Sequence, residues 1–161
     1  MRLKAVLTIM LTLLLMSMLT LAFGIQKAES SEPFVTEWTR TYSGYGALSV
    51  IQTSDGGYAL SGYTWSFGTN SWDSWLAKVD SSGNLNWNKT YGGAHNEWAY
   101  SVIETSDGGY AFTSFTRSFG AGGADFWLVK VDSSGNLEWN KTYGGTKDDV
   151  AYSIVDASDG G

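Results

Sequence analysis

The sequence predicts an all-β fold assembled from a repeated unit, and three observations support that prediction. The stretch 47–93 recurs at 99–145, shifted by 52 residues, with 33 of 47 positions identical. A third copy begins at 151 and runs to 161. Within each copy, short β-branched and aromatic runs alternate with glycine-rich turns, and no stretch combines a helical period with caps. Residues shared by all copies are therefore expected to serve the fold of the unit first.

Residues 1–28 have the composition of an export signal. A basic start at Arg2 and Lys4 precedes an apolar run over 5–25, and small residues up to Ala28 offer a cleavage site. The run of 21 residues is also long enough to cross a bilayer, so an uncleaved N-terminal anchor is the alternative. The sequence favours cleavage, which predicts a secreted protein, extracellular or at the cell surface. Contact with a membrane is expected only through this segment.

Composition and charge exclude several classes of partner. Without residues 1–28, the chain keeps 7 basic and 16 acidic residues, which is a net charge of −9. Such a surface repels phosphate backbones and anionic lipid headgroups, so nucleic acid and membrane surfaces are not expected as partners. The chain has no cysteine, which excludes a lipoprotein anchor and a disulfide scaffold. Apolar packing and backbone pairing must therefore stabilise the exported chain.

The second copy predicts four short strands, over 99–105, 110–119, 126–132 and 137–143. A Ser-Asp-Gly-Gly turn separates the first two strands, and its Asp-Gly step predicts a tight hairpin with positive φ at both central residues. A Ser-Ser-Gly-Asn turn separates the last two strands. Because all connections are short, the four strands must form an antiparallel meander.

The first copy repeats this pattern, and residues 35–42 before it match the fourth strand alone. Four-stranded antiparallel sheets repeating at this length are typical of the blades of a β-propeller, which needs at least four blades to close. We therefore predict that 35–161 is an incomplete propeller, a fragment of a larger ring with open blade faces when made alone. A closed three-fold β-prism or trefoil is the alternative, and it would have to use all ten predicted strands.

The string WLVKVDSSGNLEWNKTYGG over 127–145, with the Ser-Asp-Gly-Gly-Tyr turn, resembles a repeat of secreted and surface proteins in archaea and some bacteria. The resemblance covers 38–161 and implies a β-propeller-like fold; members carry labels such as bulb-type lectin or endoglucanase-like. Asp132, Gly135 and Trp139 also look like the end of a quinoprotein blade, with one residue fewer before the glycine. No quinone, calcium or mannose-binding motif is intact, so the resemblance implies no cofactor.

Carboxylates recur at fixed places in the repeat, where aspartate caps turns by accepting local N–H groups. None belongs to an Asp-rich calcium loop with a downstream glutamate, so we expect no metal site and no catalytic residue. His95 is the only histidine, and without cysteines it completes no zinc site. It is expected to be a solvent-exposed loop residue. The recurring aspartates are Asp55, Asp73, Asp80, Asp107, Asp125, Asp132 and Asp159.

Tryptophans fall into two groups. Those that recur at one position of each copy are expected to pack between blades; they are Trp38, Trp75, Trp87, Trp127 and Trp139. Three others break the repeat, since Arg117, Ala124 and Val150 stand at their equivalent positions in the next copy. A flat apolar ring in a loop is suited to sugar stacking or protein contact. Local packing of a longer loop is the alternative for these candidate ligand-binding residues, Trp65, Trp72 and Trp98.

Asn88 and Asn140 each begin an Asn-Lys-Thr sequon at equivalent positions. In a strand, Asn88 and Thr90 share the face opposite to that of Trp87. If the fourth strand is the outer one, that face reaches solvent, so both asparagines are candidates for N-glycosylation in a secreted chain. Polar protection of an edge strand explains the same residues equally well.

Together these features predict an exported, non-catalytic repeat scaffold for extracellular or cell-surface binding and display. A glycan or a surface protein is the expected partner, and no cofactor is expected. Specificity would reside in the loops 65–73 and 94–98. The alternative is a carbohydrate-binding, lectin-like protein or the ancillary part of a carbohydrate-active enzyme. A quinone-dependent dehydrogenase is a third alternative, disfavoured because no cofactor residues can be named.

Overall fold

The computed structural model describes residues 38–42 and 45–157, apart from the side chain of Tyr45. The predicted export segment 1–28 and the end of the third copy, 158–161, lie outside the described residues. In the described part, the chain is all-β and contains two four-stranded antiparallel sheets without a helix. The prediction of an all-β fold with four antiparallel strands per copy is therefore confirmed.

Each sheet is a meander in which consecutive strands are neighbours. The predicted bounds hold within a few residues: the first strand of the second sheet begins at Glu97, and its second strand already ends at Thr116. The first sheet contains β1 (Tyr45–Gln52), β2 (Tyr58–Ser66), β3 (Ser71–Val79) and β4 (Leu85–Tyr91), and the second contains β5 (Glu97–Glu104), β6 (Tyr110–Thr116), β7 (Asp125–Val131) and β8 (Leu137–Tyr143).

The turn between the first two strands of each sheet differs from the prediction. Of the Asp-Gly pair, only the glycine has a positive φ, 82° at Gly56 and 80° at Gly108. Thr53 N–H donates to the Gly57 carbonyl, and Gly56 N–H donates to the Thr53 carbonyl. The loop therefore contains three residues, 54–56, one more than a two-residue hairpin. In this geometry the Asp55 carboxylate accepts the Gly57 N–H at 2.9 Å.

Residues 38–42 do not form the predicted outer strand. Among the described residues, no strand pairs with this segment, and its contacts are made by side chains. The Trp38 ring packs edge-on against Tyr58 with centroids 5.9 Å apart, and the Tyr42 hydroxyl donates to the Gly83 carbonyl.

The same two contacts recur one repeat later, where the fourth strand of the first sheet meets the second sheet. Trp87 packs edge-on against Tyr110 at 5.8 Å, and the Tyr91 hydroxyl donates to the Gly135 carbonyl at 2.7 Å. Residues 38–42 therefore contact the first sheet in the way that β4 contacts the second sheet, by side chains. They differ from β4 in that no described strand pairs with them as β3 pairs with β4.

Residues 151–157, predicted to begin the first strand of a third copy, also lie outside any strand. Their backbone has one contact with the edge strand β5, a 3.4 Å hydrogen bond from Ile154 N–H to Ser101 Oγ. The Tyr152 ring packs on Tyr100 with centroids 4.9 Å apart. A strand needs a ladder of paired backbone groups, and this segment has none.

The second sheet packs on one face of the first, mainly through β5. The Ser74 and Ser114 hydroxyls hydrogen-bond across the interface at 2.7 Å. The buried core between the sheets contains Ala59, Leu76, Tyr91, Ala99, Val102, Tyr110, Phe112, Trp127, Val129 and Val131.

Equivalent residues of the two sheets differ in exposure, and the differences show how the sheets stack. Val50 is 61% exposed, while its equivalent Val102 is 1% exposed; Tyr143 is 48% exposed, while its equivalent Tyr91 is 9% exposed. Each sheet therefore has two faces built to be covered, one carrying the valine and the other carrying the tyrosine. In the described part of the chain, the interface between the sheets covers one face of each.

Candidate functional site

The two copies differ mainly at one end of their sheets. Fourteen positions differ between 47–93 and 99–145, and ten of these lie within 60–74 and its equivalent 112–126. The linkers 94–98 and 146–150 share no residue in register. Because the strands are antiparallel, the turn from second to third strand and the link from fourth to first strand lie at the same end. We call this end the variable end.

The three tryptophans that break the repeat are brought together at the variable end. Trp65 and Trp72 are paired across β2 and β3, with ring centroids 5.1 Å apart. Trp72 and Trp98 both pack on Tyr63, with ring centroids 5.3 Å and 5.0 Å from the Tyr63 ring. The sequence did not single out Tyr63, which links the three candidates.

The row continues across the edge strand of the second sheet. Trp98 packs on Phe115 at 5.5 Å, Phe115 on Tyr100 at 6.2 Å, and Tyr100 on Tyr152. The first six members are half-buried, so each presents part of its ring to solvent. We call these seven residues the aromatic row: Trp65, Trp72, Tyr63, Trp98, Phe115, Tyr100 and Tyr152.

One member of the row carries an unpaired polar atom. The Trp98 Nε1 atom is buried and has no hydrogen-bond partner among the described residues. A buried N–H without an acceptor costs about 1–3 kcal/mol relative to a paired one. The ring of Trp98, stacked at an interplanar angle of 28° on Tyr63, must offset that cost by its packing.

Next to the row lies a cavity of about 370 Å³, which we call the loop pocket. Its lining comes from the turn between β2 and β3, the link between β4 and β5, and the segment that follows β6. All its lining residues stand either at positions where the two copies differ or in the unmatched linker. They are Asn70, Ser71, Ala94, His95, Asn96, Arg117, Gly122 and Gly123.

Hydrogen bonds fix the walls of the loop pocket to the aromatic row. Trp72 N–H donates to Asn96 Oδ1 at 3.0 Å, and Arg117 N–H donates to the Asn96 carbonyl at 3.1 Å. His95 is exposed, as predicted, and its N–H donates to Ser118 Oγ at 2.9 Å. Asn96 thus joins the pocket to both sheets through its own side chain and backbone.

Arg117 and Asn96 were not predicted individually as site residues, although Asn96 lies in the predicted loop 94–98 and the sequence contains a signal for both. Arg117 replaces Trp65 at the equivalent position, and Asn96 lies in a linker that differs completely between copies. A search restricted to aromatic residues that break the repeat misses polar residues that break it. Comparing all residue types at those positions would have identified the pocket wall.

Two buried carboxylates lie beneath the variable end. Burial raises the pKa of Asp73 and the charge of nearby Glu97 adds to this, while hydrogen bonds from Ser66 and Ser71 act in the opposite direction. Both carboxylates lie next to Gly92: a Cβ on this glycine would lie 2.5 Å from Asp73 Oδ1 and 2.6 Å from Glu97 Oε2. Asp73 is thus a buried strand residue, and turn capping does not describe it.

Glu97 is fully buried and its oxygens are engaged. One oxygen accepts the Thr116 hydroxyl at 2.8 Å and the Ser118 N–H at 3.1 Å; the other accepts the Gly93 N–H at 2.9 Å. These donors join the end of β6 to the link before β5. The arrangement fixes the floor of the variable end and leaves the carboxylate inaccessible.

The aspartates of the turns act as the sequence predicted, as local caps. Asp80 Oδ1 accepts the N–H groups of Ser82 and Asn84 at 2.9 and 2.8 Å. Asp55 forms an ion pair with the buried Lys78 at 2.8 Å. The hydrogen bond from Lys78 and then that from Thr53 hold the pKa of Asp55 well below its usual range.

The second sheet repeats these contacts. Asp107 pairs with Lys130 at 2.9 Å, and Asp132 Oδ1 accepts the N–H groups of Ser134 and Asn136 at 2.9 and 2.8 Å. The remaining recurring aspartate of the described part, Asp125, is buried and accepts the Ala121 N–H at 2.7 Å. Within the described residues, no group of three or more metal-ligating side chains converges on one point.

Four of the five recurring tryptophans are buried or half-buried. Trp75 and Trp127 are buried, and Trp87 is half-buried, with its Nε1 donating to the Ser133 carbonyl at 3.1 Å. Trp139, the equivalent of Trp87, is 43% exposed. Trp38 is half-buried against the first sheet.

Both sequon asparagines are exposed on the outer strands β4 and β8. Within the described residues, the Asn88 side chain forms no hydrogen bond. Asn140 differs, because its Oδ1 accepts the indole N–H of Trp127 at 3.0 Å. The two candidate glycosylation sites are therefore equivalent in sequence and unequal in their contacts.

A comparison with models of protein families and with curated proteins returned no match to this chain. In the part of the chain that is described, there is no helix of the length and apolarity needed to span a membrane.

Proposed function

We propose that this chain is an exported, non-catalytic repeat scaffold that binds its partner through the variable end. The observation that carries the proposal is the placement of the differences between copies. Residues identical in both copies form the turns and most of the core, whereas those that differ form the aromatic row and line the loop pocket. A few differing residues, such as Phe112 and Val129, lie in the core. Binding residues are expected on loops positioned by a rigid frame, and the lining of the loop pocket lies mostly on such loops. The three tryptophans of the aromatic row, expected in loops, lie instead at the ends of β2, β3 and β5.

We further propose that the two sheets are consecutive blades of a β-propeller-like ring. Residues 38–42 support this, because they contact the first sheet through Trp38 and Tyr42 as β4 contacts the second. The exposed face carrying Tyr143 supports it too, since the identical face of the first sheet is covered by a neighbouring sheet. The resemblance of the repeat to secreted and surface repeats agrees with this architecture.

Binding is favoured over catalysis by the state of the acids. Glu97 accepts three hydrogen bonds in a fully buried position, and the turn aspartates are engaged by local N–H groups and lysines. Catalytic carboxylates must reach a substrate, and Glu97 is buried away from one. The turn aspartates Asp55 and Asp107 are exposed, but their oxygens are occupied by a lysine and by local N–H groups. The aromatic row, in contrast, presents half-buried rings next to an open cavity.

The proposal is tested with the full chain and a matched pair of variants. Binding is measured to immobilised extracellular polysaccharides and surface proteins of the producing cells, for the wild type, a Trp65→Ala/Trp72→Ala variant and a Trp139→Ala control. Trp139 is exposed but lies outside the variable end. We expect at least a tenfold loss in the double variant and none in the control. Equal binding by all three proteins would refute a role for the variable end.

Export is tested separately. Production with residues 1–28 intact is expected to place the chain outside the cytoplasm, and N-terminal sequencing of that material should begin after residue 28. Retention of the chain inside the cell would contradict the export part of the proposal.

A further inference from the structure

We propose that the loop pocket binds one residue of a neutral saccharide while the aromatic row contacts the apolar face of the same glycan. This proposal rests on the function proposed above and assigns the ligand class of that site. Sugars combine a rim of hydroxyl groups with flat patches of C–H groups. A site for them therefore needs planar polar groups and an aromatic surface side by side.

The pocket supplies the polar half. Its walls carry the amides of Asn70 and Asn96, the Ser71 hydroxyl, the His95 imidazole and the Arg117 guanidinium. Amide and hydroxyl groups both donate and accept, as a ligand rich in hydroxyls requires, and the guanidinium donates in a fixed plane. The other lining residues are alanine and glycines, so the pocket has no large apolar wall to receive a greasy side chain.

The pocket is also of suitable size. At about 370 Å³ it lies near the lower end of the range of small-molecule sites. Glycines at 122 and 123 let this wall pass close to the segment 146–148: a Cβ on Gly122 would lie 2.6 Å from the Thr146 Cα atom, and one on Gly123 would lie 3.0 Å from the Lys147 carbonyl carbon. The first copy has Asn70 and Ser71 at the corresponding places, which contribute polar groups from the facing wall.

The charges in and around the loop pocket favour a neutral ligand. The only cation of fixed charge in the pocket wall is Arg117, and its guanidinium lies 3.7 Å from the Asp148 carboxylate. Both groups are more than half exposed, so the pair is weak but offsets the positive charge locally. Asp73 and Glu97 lie beneath, and the whole chain carries a net charge of −6. An anionic ligand would meet this field unfavourably.

The aromatic row supplies the apolar half. Asn96 accepts the Trp72 N–H and precedes Trp98 by two residues, so the pocket wall and the row are joined by one residue. Trp65, Trp72 and Trp98 are only half-buried by their mutual packing. A protein partner would also bury these rings, but its apolar side chains would find no large apolar wall in the pocket.

The proposal predicts the effect of pocket substitutions on saccharide binding. Calorimetric titration of the full chain is performed with linear neutral oligosaccharides of glucose, mannose and xylose, and with an oligogalacturonate as the anionic comparison. Arg117→Ala should weaken binding of the neutral ligand about 10-fold to 100-fold, since a charged donor is lost. His95→Ala should weaken it about 2-fold to 10-fold, as expected for a neutral hydrogen bond. Lys141→Ala, an exposed residue of β8, is the control and should change nothing.

These variants keep the fold, because the pocket backbone is held by groups that alanine retains. The N–H of Arg117 still donates to the Asn96 carbonyl, and that of His95 to Ser118 Oγ. Tighter binding of the oligogalacturonate than of neutral sugars would overturn the assignment of a neutral ligand. Neutral binding unchanged by Arg117→Ala and His95→Ala would overturn the role of the pocket.

Failure of this proposal can be distinguished from failure of the proposed function. Suppose that the wild type binds no saccharide but binds a surface protein, and that Trp65→Ala/Trp72→Ala loses this binding. The saccharide assignment is then wrong, and the proposed binding scaffold stands. If Trp65→Ala/Trp72→Ala changes the binding of neither a saccharide nor a surface protein, both proposals are refuted.

Discussion

Replacing Tyr91 by phenylalanine tests how the two sheets are held together. The Tyr91 hydroxyl donates to the Gly135 carbonyl at 2.7 Å from a ring that is 9% exposed. Its burial is also the main reason why the pKa of Tyr91 is raised above its ordinary range. The substitution removes one oxygen atom, keeps the ring, and leaves the carbonyl of a buried glycine without its donor.

The expected loss follows from that bond. A neutral hydrogen bond contributes about 0.5–1.5 kcal/mol, and a buried group left unpaired costs about 1–3 kcal/mol. We therefore expect Tyr91→Phe to lower the free energy of unfolding by about 1–2 kcal/mol. The chain provides its own control in Tyr143, which occupies the same position of the second copy but is 48% exposed. Tyr143→Phe should change the free energy by no more than about 0.5 kcal/mol.

Urea unfolding followed by tryptophan fluorescence measures both variants, with the free energy obtained by linear extrapolation. The difference between the variants is more informative than either value, since it cancels any intrinsic effect of the tyrosine-to-phenylalanine change. Equal losses would mean that Tyr143 is also buried against a surface, and no loss in either would mean that the hydroxyl of Tyr91 is paired equally well with water. Each result would refute the stacking described above.

Three further predictions address other parts of the same frame. Val102→Ala should cost about 2 kcal/mol in urea unfolding, because two buried methyl groups are lost and a cavity remains, whereas Val50→Ala should cost less than about 0.5 kcal/mol. Asp73→Asn should raise the free energy of unfolding at pH 7, because burial raises the pKa of Asp73 and so disfavours its charged form. The gain should fade as the pH falls from 7 toward about 4 and should be absent below that, where the wild-type carboxyl is protonated in both states. Gly135→Ala should lower the melting temperature more than Gly56→Ala; both positions have positive φ, but only at Gly135 does a new Cβ meet a ring, 2.8 Å from Trp87.

Local chemistry explains why much of the fold could be predicted. The Asp-Ser-Ser-Gly-Asn segment forms a turn in both sheets, because the aspartate accepts two N–H groups and Gly83 or Gly135 takes a φ of +75°. Strand four was predicted to its exact bounds in the second copy. Such features depend on residues within a few positions of each other, and the sequence contains all of them.

Features that depend on a neighbouring sheet could not be predicted in the same way. Residues 38–42 have the sequence of a fourth strand and do not form one, because the strand needs a partner that this segment lacks in the described part of the chain. Trp87 and Trp139 lie in nearly identical sequences, but within the described residues only Trp87 is covered by a following sheet. Identical residues therefore lie in different environments, and the sequence of a single copy cannot show which of them is covered.

The candidate site was predicted in part for the same reason. Trp65, Trp72 and Trp98 stand out because they break the repeat, but their common neighbour Tyr63 does not, since Phe115 replaces it with another aromatic ring. Whether the three tryptophans meet depends on the packing of one sheet on the next. That packing is fixed by residues such as Ser74 and Ser114, which hydrogen-bond across the interface.

This division between the two ends of each sheet has a physical consequence for how such a chain can acquire new binding properties. Turns at the opposite end are held by aspartate side chains and by glycines with positive φ, so most substitutions there disturb backbone geometry. At the variable end, the frame is held by Glu97 and by backbone hydrogen bonds of residues such as Arg117, which do not depend on the side chains of the pocket. Apart from Asn96, whose side chain accepts the Trp72 N–H, and residues of positive φ such as Asn70 and Gly122, side chains there can change without removing the contacts that position them. A repeat built in this way separates stability from recognition, so each junction between sheets can present a different surface on the same frame.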